Sequence, residues 1–114
     1  MEVKITTSDG VTIVEISGSL DANTVPQAES EIMPLIVPKC LLVLDMGKCQ
    51  YVSSAGLRIL LTITKRLKTT EGGQWCMAGV PQEIMDVMEL TGFSRFFKTF
   101  DTVSAAVKAI QEGV

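Results

Sequence analysis

Two short segments of the chain combine small, polar and acidic residues in a way that could support chemistry. The first is Leu20–Thr24, which holds Asp21 in a predicted loop. The second is Gln50–Leu57, in which Ser54 stands at or next to the start of the longest helical pattern. A serine there can simply accept a hydrogen bond from a free backbone N–H group, a cap worth about 1 kcal/mol. That structural interpretation needs no further function for Ser54.

The bare first turn of this helix favours a second interpretation, in which the Ser54 hydroxyl accepts a phosphate. Ala55 and Gly56 are small enough to let another protein's active site reach the serine. A phosphate there would face free N–H groups and the positive end of the helix dipole. It would add about −1.5 to −2 charges and three strong acceptors. The phosphate would therefore be held in place by the helix while it changed the local electrostatic field.

Two aspartates are placed to take part in phosphoryl chemistry. Asp21 is either an ordinary loop residue or, beside Ser54, a charge that aligns the free hydroxyl and opposes a phosphate. Asp45 follows a buried strand pattern, as the aspartate of a phosphoryl receiver would. That chemistry needs an acidic cluster to hold magnesium near the end of the first strand, and the sequence has none there. We therefore expect Asp45 to be structural.

Composition excludes several classes of function. The 114 residues include no histidine, which excludes Ser-His-Asp and Cys-His catalysis and histidine-ligated zinc. With a net charge of −3, the chain lacks the excess of basic side chains that binding to nucleic acid requires. We expect no cofactor and no metal site. The cysteines are odd in number and lack the spacing of a metal knuckle, which predicts buried or reduced thiols at Cys40, Cys49 and Cys76.

The same features indicate a single domain over residues 1–114, located in the cytoplasm and monomeric. No apolar stretch approaches the roughly 20 residues of a membrane span. The N-terminal residues alternate at once between apolar and polar and contain no apolar signal core.

The hydrophobic pattern predicts an α/β fold with the element order ββαβαβαβα. Val3–Thr7 and Val11–Ser17 alternate around an Asp-Gly turn and form an antiparallel hairpin. The continuous apolar run Leu41–Leu44 predicts a strand buried on both faces, and the following alternation of helices and strands predicts a mainly parallel sheet. The stretch from Gly47 to Val52 is predicted to be a loop. The later strands are predicted at Trp75–Ala78 and, at the edge, at Phe96–Phe100. The alternative for this last segment is that its phenylalanines are core residues facing a helix: Phe93, Phe96, Phe97 and Phe100.

Four helices accompany these strands. The first begins near Val25, where Thr24 and Gln27 have the spacing of a capping box. It must kink or end near Met33, because Pro34 cannot donate a backbone hydrogen bond. In a parallel sheet the loops after the strands share one edge. The loops expected to meet there are Leu20–Thr24, Gln50–Leu57 and Gly79–Pro81.

The pair of motifs Gly18–Thr24 and, some thirty residues later, Tyr51–Leu61 resembles the STAS-domain anti-sigma factor antagonists of bacteria. The resemblance covers essentially the whole chain. It implies the STAS fold, a small mixed sheet packed against about four helices, and a protein without catalytic activity. A family member of this kind binds an anti-sigma factor that is also a serine kinase with an ATP-binding, histidine-kinase-type fold. Binding frees the sigma factor or, in variant circuits, another target.

The resemblance also implies a switch, because the kinase phosphorylates one serine of the motif and thereby breaks the complex. A metal-dependent serine phosphatase restores it. Alignment on Gly56-Leu57 assigns the phosphoacceptor to Ser54 and the acidic neighbour to Asp21. The residues expected around the phosphosite and at the partner surface are Asp21, Asn23, Thr24, Ser53, Ala55, Gly56, Leu57 and Arg58.

Two alternatives stay open at this point. Many family members carry Asp where this chain has Ser53, which leaves Ser53 as a rival phosphorylation site. The chain could also be a non-switching scaffold or a transport-associated module of the same fold, in which Ser54 only caps its helix. An enzyme that uses Cys49 or Cys76 is disfavoured by the lack of histidine.

Overall fold

The computed structural model describes residues 1–113 and confirms the mixed α/β fold. Within those residues a six-stranded sheet is accompanied by four α-helices and two 3-10 turns, Met33–Leu35 and Phe93–Phe96. The strands are β1 (Glu2–Ser8), β2 (Val11–Leu20), β3 (Leu41–Asp45), β4 (Cys49–Val52), β5 (Gln74–Ala78) and β6 (Thr99–Phe100). The helices are α1 (Val25–Ile32), α2 (Ser54–Lys68), α3 (Gln82–Thr91) and α4 (Val103–Gln111).

The sheet opens with the predicted hairpin and continues as a parallel sheet. β1 and β2 are antiparallel around Asp9-Gly10, whose φ angles of 51° and 81° suit a tight hairpin turn. The main path runs β1-β2-β3-β5-β6, and every pair after the hairpin is parallel. The carboxyl ends of β2, β3 and β5 therefore point to the same edge, as the alternating pattern predicts.

The prediction of a loop from Gly47 to Val52 is wrong in part, because Cys49–Val52 forms β4. β2 is ten residues long and pairs with β3 only over Thr12–Glu15, so its last residues extend beyond β3. β4 pairs in parallel with Gly18–Leu20 of that extension. Its four residues are buried at the ends and exposed in the middle, which gives no alternation to detect. The element order thus gains one strand.

The prediction that α1 kinks or ends near Met33 is confirmed. The α-helix stops at Ile32 and the chain continues as the 3-10 turn Met33–Leu35, which accommodates Pro34. The edge strand predicted within Phe96–Phe100 is shorter than expected, since only Thr99–Phe100 pairs with β5. Phe93–Phe96 forms a 3-10 turn instead.

Apolar side chains cover both faces of the sheet. On one face, Leu42 and Leu44 belong to a large cluster with Leu60 of α2 and Met88 of α3. On the other face, Val43 belongs to a smaller cluster with residues of α4. These residues of β3 confirm that the strand is buried on both sides. None of the helices within residues 1–113 is long and apolar enough to cross a bilayer.

Candidate functional site

The two motif loops meet at the end of β2. The N–H of Ser53 donates to the carbonyl oxygen of Leu20 over 3.0 Å, and Leu20 pairs with Val52 across the β2–β4 ladder. Asp21 follows Leu20 directly, so the acidic loop and the serine motif are fixed next to each other. The predicted convergence of these loops is confirmed. Gly79, expected on the same edge, lies close to Gly47.

Gly56 allows the first turn of α2 to approach this junction. A Cβ atom built on Gly56 would collide with the carbonyl oxygen of Leu20 and lie 2.9 Å from Cγ1 of Val52. A backbone oxygen at a strand end has little freedom to withdraw, so only glycine fits here. The buried Gly56 thus has a packing role at the site.

Ser53, rather than Ser54, caps α2. Ser53 has an extended backbone, with φ −81° and ψ 177°, and its Oγ accepts from the N–H of Gly56 over 3.2 Å. Ser54 is the first helical residue, and its side chain is exposed. Among residues 1–113, no group hydrogen-bonds to the Ser54 hydroxyl. The interpretation of Ser54 as a simple cap is therefore wrong.

The start of α2 also offers free donors beside that hydroxyl. The Ser53 side chain takes the N–H of Gly56, and the Ser53 carbonyl takes that of Leu57. The backbone N–H groups of Ser54 and Ala55 have no acceptor in the part of the chain that is described. The first turn contains no acidic residue. An anion attached to Ser54 would meet two unused donors and the positive helix end.

Asp21 orders its own loop. Its Oδ1 accepts from the N–H groups of Asn23, over 2.9 Å, and Thr24, over 3.2 Å, as in an Asx turn. No hydrogen bond joins Asp21 to Ser54 within the described chain. The half-buried carboxylate is therefore engaged in shaping its own loop, which adjoins the serine motif through Leu20 and Ser53.

The capping box predicted for Thr24 and Gln27 does not form. The hydroxyl of Thr24 donates to the carbonyl of Ser19 over 2.8 Å and accepts from the N–H of Asp21 over 2.9 Å. The Thr24 hydroxyl is therefore hydrogen-bonded to the end of β2 and does not cap α1. Gln27 instead donates to Glu31 one helical turn later. Thr24 serves the site by closing the Asp21 loop.

The exposed side chains around Ser54 define a small surface. Asn23 and Arg58 are exposed, and Ala55 is half-buried. All three side chains are therefore at least partly accessible to a partner. Leu57 is only 5% exposed and belongs to the core, so its expected place at the partner surface is wrong. Arg58 lies four residues after Ser54, which puts both on one face of α2.

Tyr51 is a candidate site residue that the sequence-based prediction did not name. It lies on β4, two residues before the helix cap, and 56% of its surface is exposed. Exposed aromatic side chains are enriched among the residues that dominate binding energy. The signal in the sequence was a single large aromatic within an otherwise small and polar motif.

Neither Asp45 nor the cysteines add chemistry to the site. Oδ1 of Asp45 accepts from the N–H of Gly47 over 3.1 Å, which confirms its structural role. All three cysteines are free. Burial raises the pKa of the Cys49 thiol and raises that of Cys76 to about 11, so both thiols keep their protons at neutral pH.

Comparison with known proteins agrees with this architecture. The family model for the STAS domain matches residues 2–106. The chain belongs to the STAS domain family. A candidate anti-sigma factor antagonist, BtrV of Bordetella bronchiseptica, is 28% identical over 112 residues, which cover 97% of this chain and 96% of BtrV.

Two solved structures have the same fold as this chain. An anti-sigma factor antagonist from Mycobacterium paratuberculosis superposes with a TM-score of 0.82 at 24% identity, covering 96% of this chain and 93% of that one. The Bacillus cell fate determinant SpoIIAA in its phosphorylated form superposes with a TM-score of 0.71 at 14% identity, covering 96% and 99%. These likenesses confirm the expected STAS fold.

Proposed function

We propose that this chain is an anti-sigma factor antagonist controlled by phosphorylation of Ser54. In its unphosphorylated form it binds an anti-sigma factor that is also a serine kinase, and the bound sigma factor is released. The observation that carries this proposal is the exposed, unbonded hydroxyl of Ser54 beside a helix cap already supplied by Ser53. The chain acts in the cytoplasm and by binding alone.

The partner surface is centred on Ser54. Tyr51 supplies an exposed aromatic anchor, and Asn23 and Arg58 supply polar groups at its rim. The Asp21 loop and the close contact at Gly56 hold these elements in fixed positions. The surface therefore needs little rearrangement before a partner docks, which lowers the cost of association.

Phosphorylation reverses binding through charge. A phosphate replaces a neutral hydroxyl at the centre of the interface with about −1.5 to −2 charges. Burying that charge against a partner that offers no compensating cation costs several kcal/mol. A loss of about 4 kcal/mol weakens binding roughly a thousandfold. A serine phosphatase that uses a metal ion would restore the active form.

Ser54 is the better acceptor of the two adjacent serines. Ser53 is half-buried, and its Oγ accepts a hydrogen bond from the N–H of Gly56. A kinase acting on Ser53 would have to remove that cap. At Ser54 the hydroxyl is free, and the N–H groups of Ser54 and Ala55 are ready to receive phosphate oxygens.

The test is mass spectrometry of the chain isolated from its own cells, with fragmentation across residues 50–58. A phosphate on Ser54 would support the proposal, and loss of the kinase from a pull-down with Ser54→Asp would establish the switch. A phosphate on Ser53 would move the site. If the chain stays unmodified in cells and after incubation with ATP and the co-purified partner, a non-switching scaffold or transport-associated module becomes the better description.

A further inference from the structure

A cleft of about 650 Å³ lies along the last turns of α2, far from the Ser54 surface. One wall is the C-terminal half of α2, and the other is the segment from Arg95 to Lys98. The half-buried Trp75, at the start of β5, and the aromatic Phe96, which is 43% exposed, supply apolar surface. At a rise of 1.5 Å per residue, Lys65 is roughly 16 Å along the helix from Ser54.

Four cations line this cleft, two from each wall. They are Lys65, Lys68, Arg95 and Lys98. They make up four of the ten basic residues in a chain whose net charge is −3, and among residues 1–113 no Asp or Glu side chain lines the cleft. The one ion pair within residues 1–113 is between Lys48 and Glu15, so no Asp or Glu side chain in that part of the chain forms a salt bridge with these four cations.

The lysines are not needed to cap the end of α2. The hydroxyl of Thr69 donates to the carbonyl of Arg66 over 3.0 Å, and the hydroxyl of Thr70 donates to the same oxygen over 2.7 Å. The N–H of Thr69 bonds the carbonyl of Lys65. Attraction to the helix dipole accounts for Lys65 and Lys68, but it does not account for Arg95 and Lys98 on the opposite wall.

We propose that this cleft binds an acidic segment of a partner protein, which inserts an apolar side chain between Trp75 and Phe96. The cations on both walls would contact carboxylates on both sides of that apolar anchor. The charge complementarity is strong because the cleft is basic on an acidic protein. A small ligand normally has most of its surface enclosed, whereas this cleft is only partly enclosed between its two walls, which suits a peptide segment.

The test uses the full chain and a synthetic peptide in which glutamates flank one phenylalanine. Trp75 is the only tryptophan, so its fluorescence reports directly on the cleft. We expect saturable binding with amide shifts in an NMR spectrum confined to cleft residues. Binding should weaken as salt rises from about 0.05 to 0.5 M, and a peptide with glutamine in place of glutamate should not bind.

The chain offers a matched control on the same helix. Lys65→Glu or Lys68→Glu should raise the dissociation constant about fivefold or more. Arg66→Glu carries the same charge change on the same last turns, but Arg66 does not line the cleft, so its effect should stay within about twofold. Urea unfolding of each variant confirms that it is folded, and Lys65→Gln serves if a reversal disturbs the helix.

Three results would overturn the proposal. One is no response of Trp75 or of the cleft amides to the peptide. Another is equal weakening by Arg66→Glu, which would mean attraction to overall charge instead of a site. The third is tighter binding of a nucleoside triphosphate than of the peptide with the same dependence on Lys65, which would assign the cleft to a small anion.

Discussion

Gly56 lies so close to the carbonyl oxygen of Leu20 that no side chain fits between them. The same oxygen accepts the N–H of Ser53, so one atom at the end of β2 positions both the cap and the first turn of α2. Ser54, the first residue of that helix, lies exposed beside this junction.

Gly56→Ala should destabilise the fold by about 1–3 kcal/mol, since its Cβ must displace backbone or force α2 away from β2. Urea unfolding measures the free energy. Ser54→Ala, two residues earlier in the same turn and exposed, should change it by less than about 0.5 kcal/mol. Equal stability of Gly56→Ala and the wild type would mean that the junction is looser than described.

Substitution of the two serines should affect two different properties, stability for Ser53 and phosphorylation for Ser54. Ser53→Ala removes the acceptor of the Gly56 N–H and should cost about 1 kcal/mol of unfolding free energy while leaving phosphorylation possible. Ser54→Ala should keep full stability and accept no phosphate at residue 54. Thermal unfolding and mass spectrometry of both variants check this, and the reverse pattern would exchange the two roles.

Arg58 should influence the phosphate once it is attached. In the phosphorylated chain, the free N–H groups and Arg58 favour the dianion, so the second pKa of phosphoserine should fall below its usual value of about 6. A titration followed by ³¹P NMR gives this pKa directly. Arg58→Gln should raise it towards 6, whereas Arg66→Gln, farther along α2, should leave it unchanged.

Cys76 should make the fold sensitive to alkaline pH. Burial raises its pKa from 9.0 to about 11 in the folded chain, and the nearby Lys98 opposes only part of that rise. Between those values the unfolded thiol ionises while the folded one stays protonated, so unfolding releases a proton and stability falls as pH rises. The loss should reach about 2 kcal/mol at pH 11.

Urea unfolding at a series of pH values between 8 and 11 tests this, and Cys76→Ala should show a shallower decline. Cys40→Ala, at a half-buried position, is the control. Rapid alkylation of Cys76 in the folded chain at neutral pH would show that its thiol is accessible and would contradict the prediction.

Much of the fold followed from local pattern. The apolar run of β3 indicated a strand covered on both sides, and Pro34 indicated the end of α1; both depend on residues next to one another in sequence. β4 could not be predicted, because its pairing depends on how far β2 extends beyond β3. The failed capping box has a similar cause, since the carbonyl of Ser19 competes for the Thr24 hydroxyl.

The site was predictable in position but not in the roles of its parts. The motif placed Ser53 and Ser54 at a helix start, and only the backbone geometry decided which one caps it. Leu57 matched the family motif but is buried in the core, and the exposed Tyr51 was overlooked. The basic cleft combines residues from α2 and from the 3-10 segment, which are distant in sequence.

If Ser54 is phosphorylated as we propose, the assignment of the helix cap to Ser53 has a consequence for the fidelity of signalling. A kinase that meets two neighbouring hydroxyls must choose between them, and here the substrate itself discriminates. One hydroxyl is already engaged in holding the chain together, and the other is offered without a competing partner. Mutation at residue 54 would then change the response to the kinase while Ser53 continues to stabilise the fold, so the two properties could evolve separately.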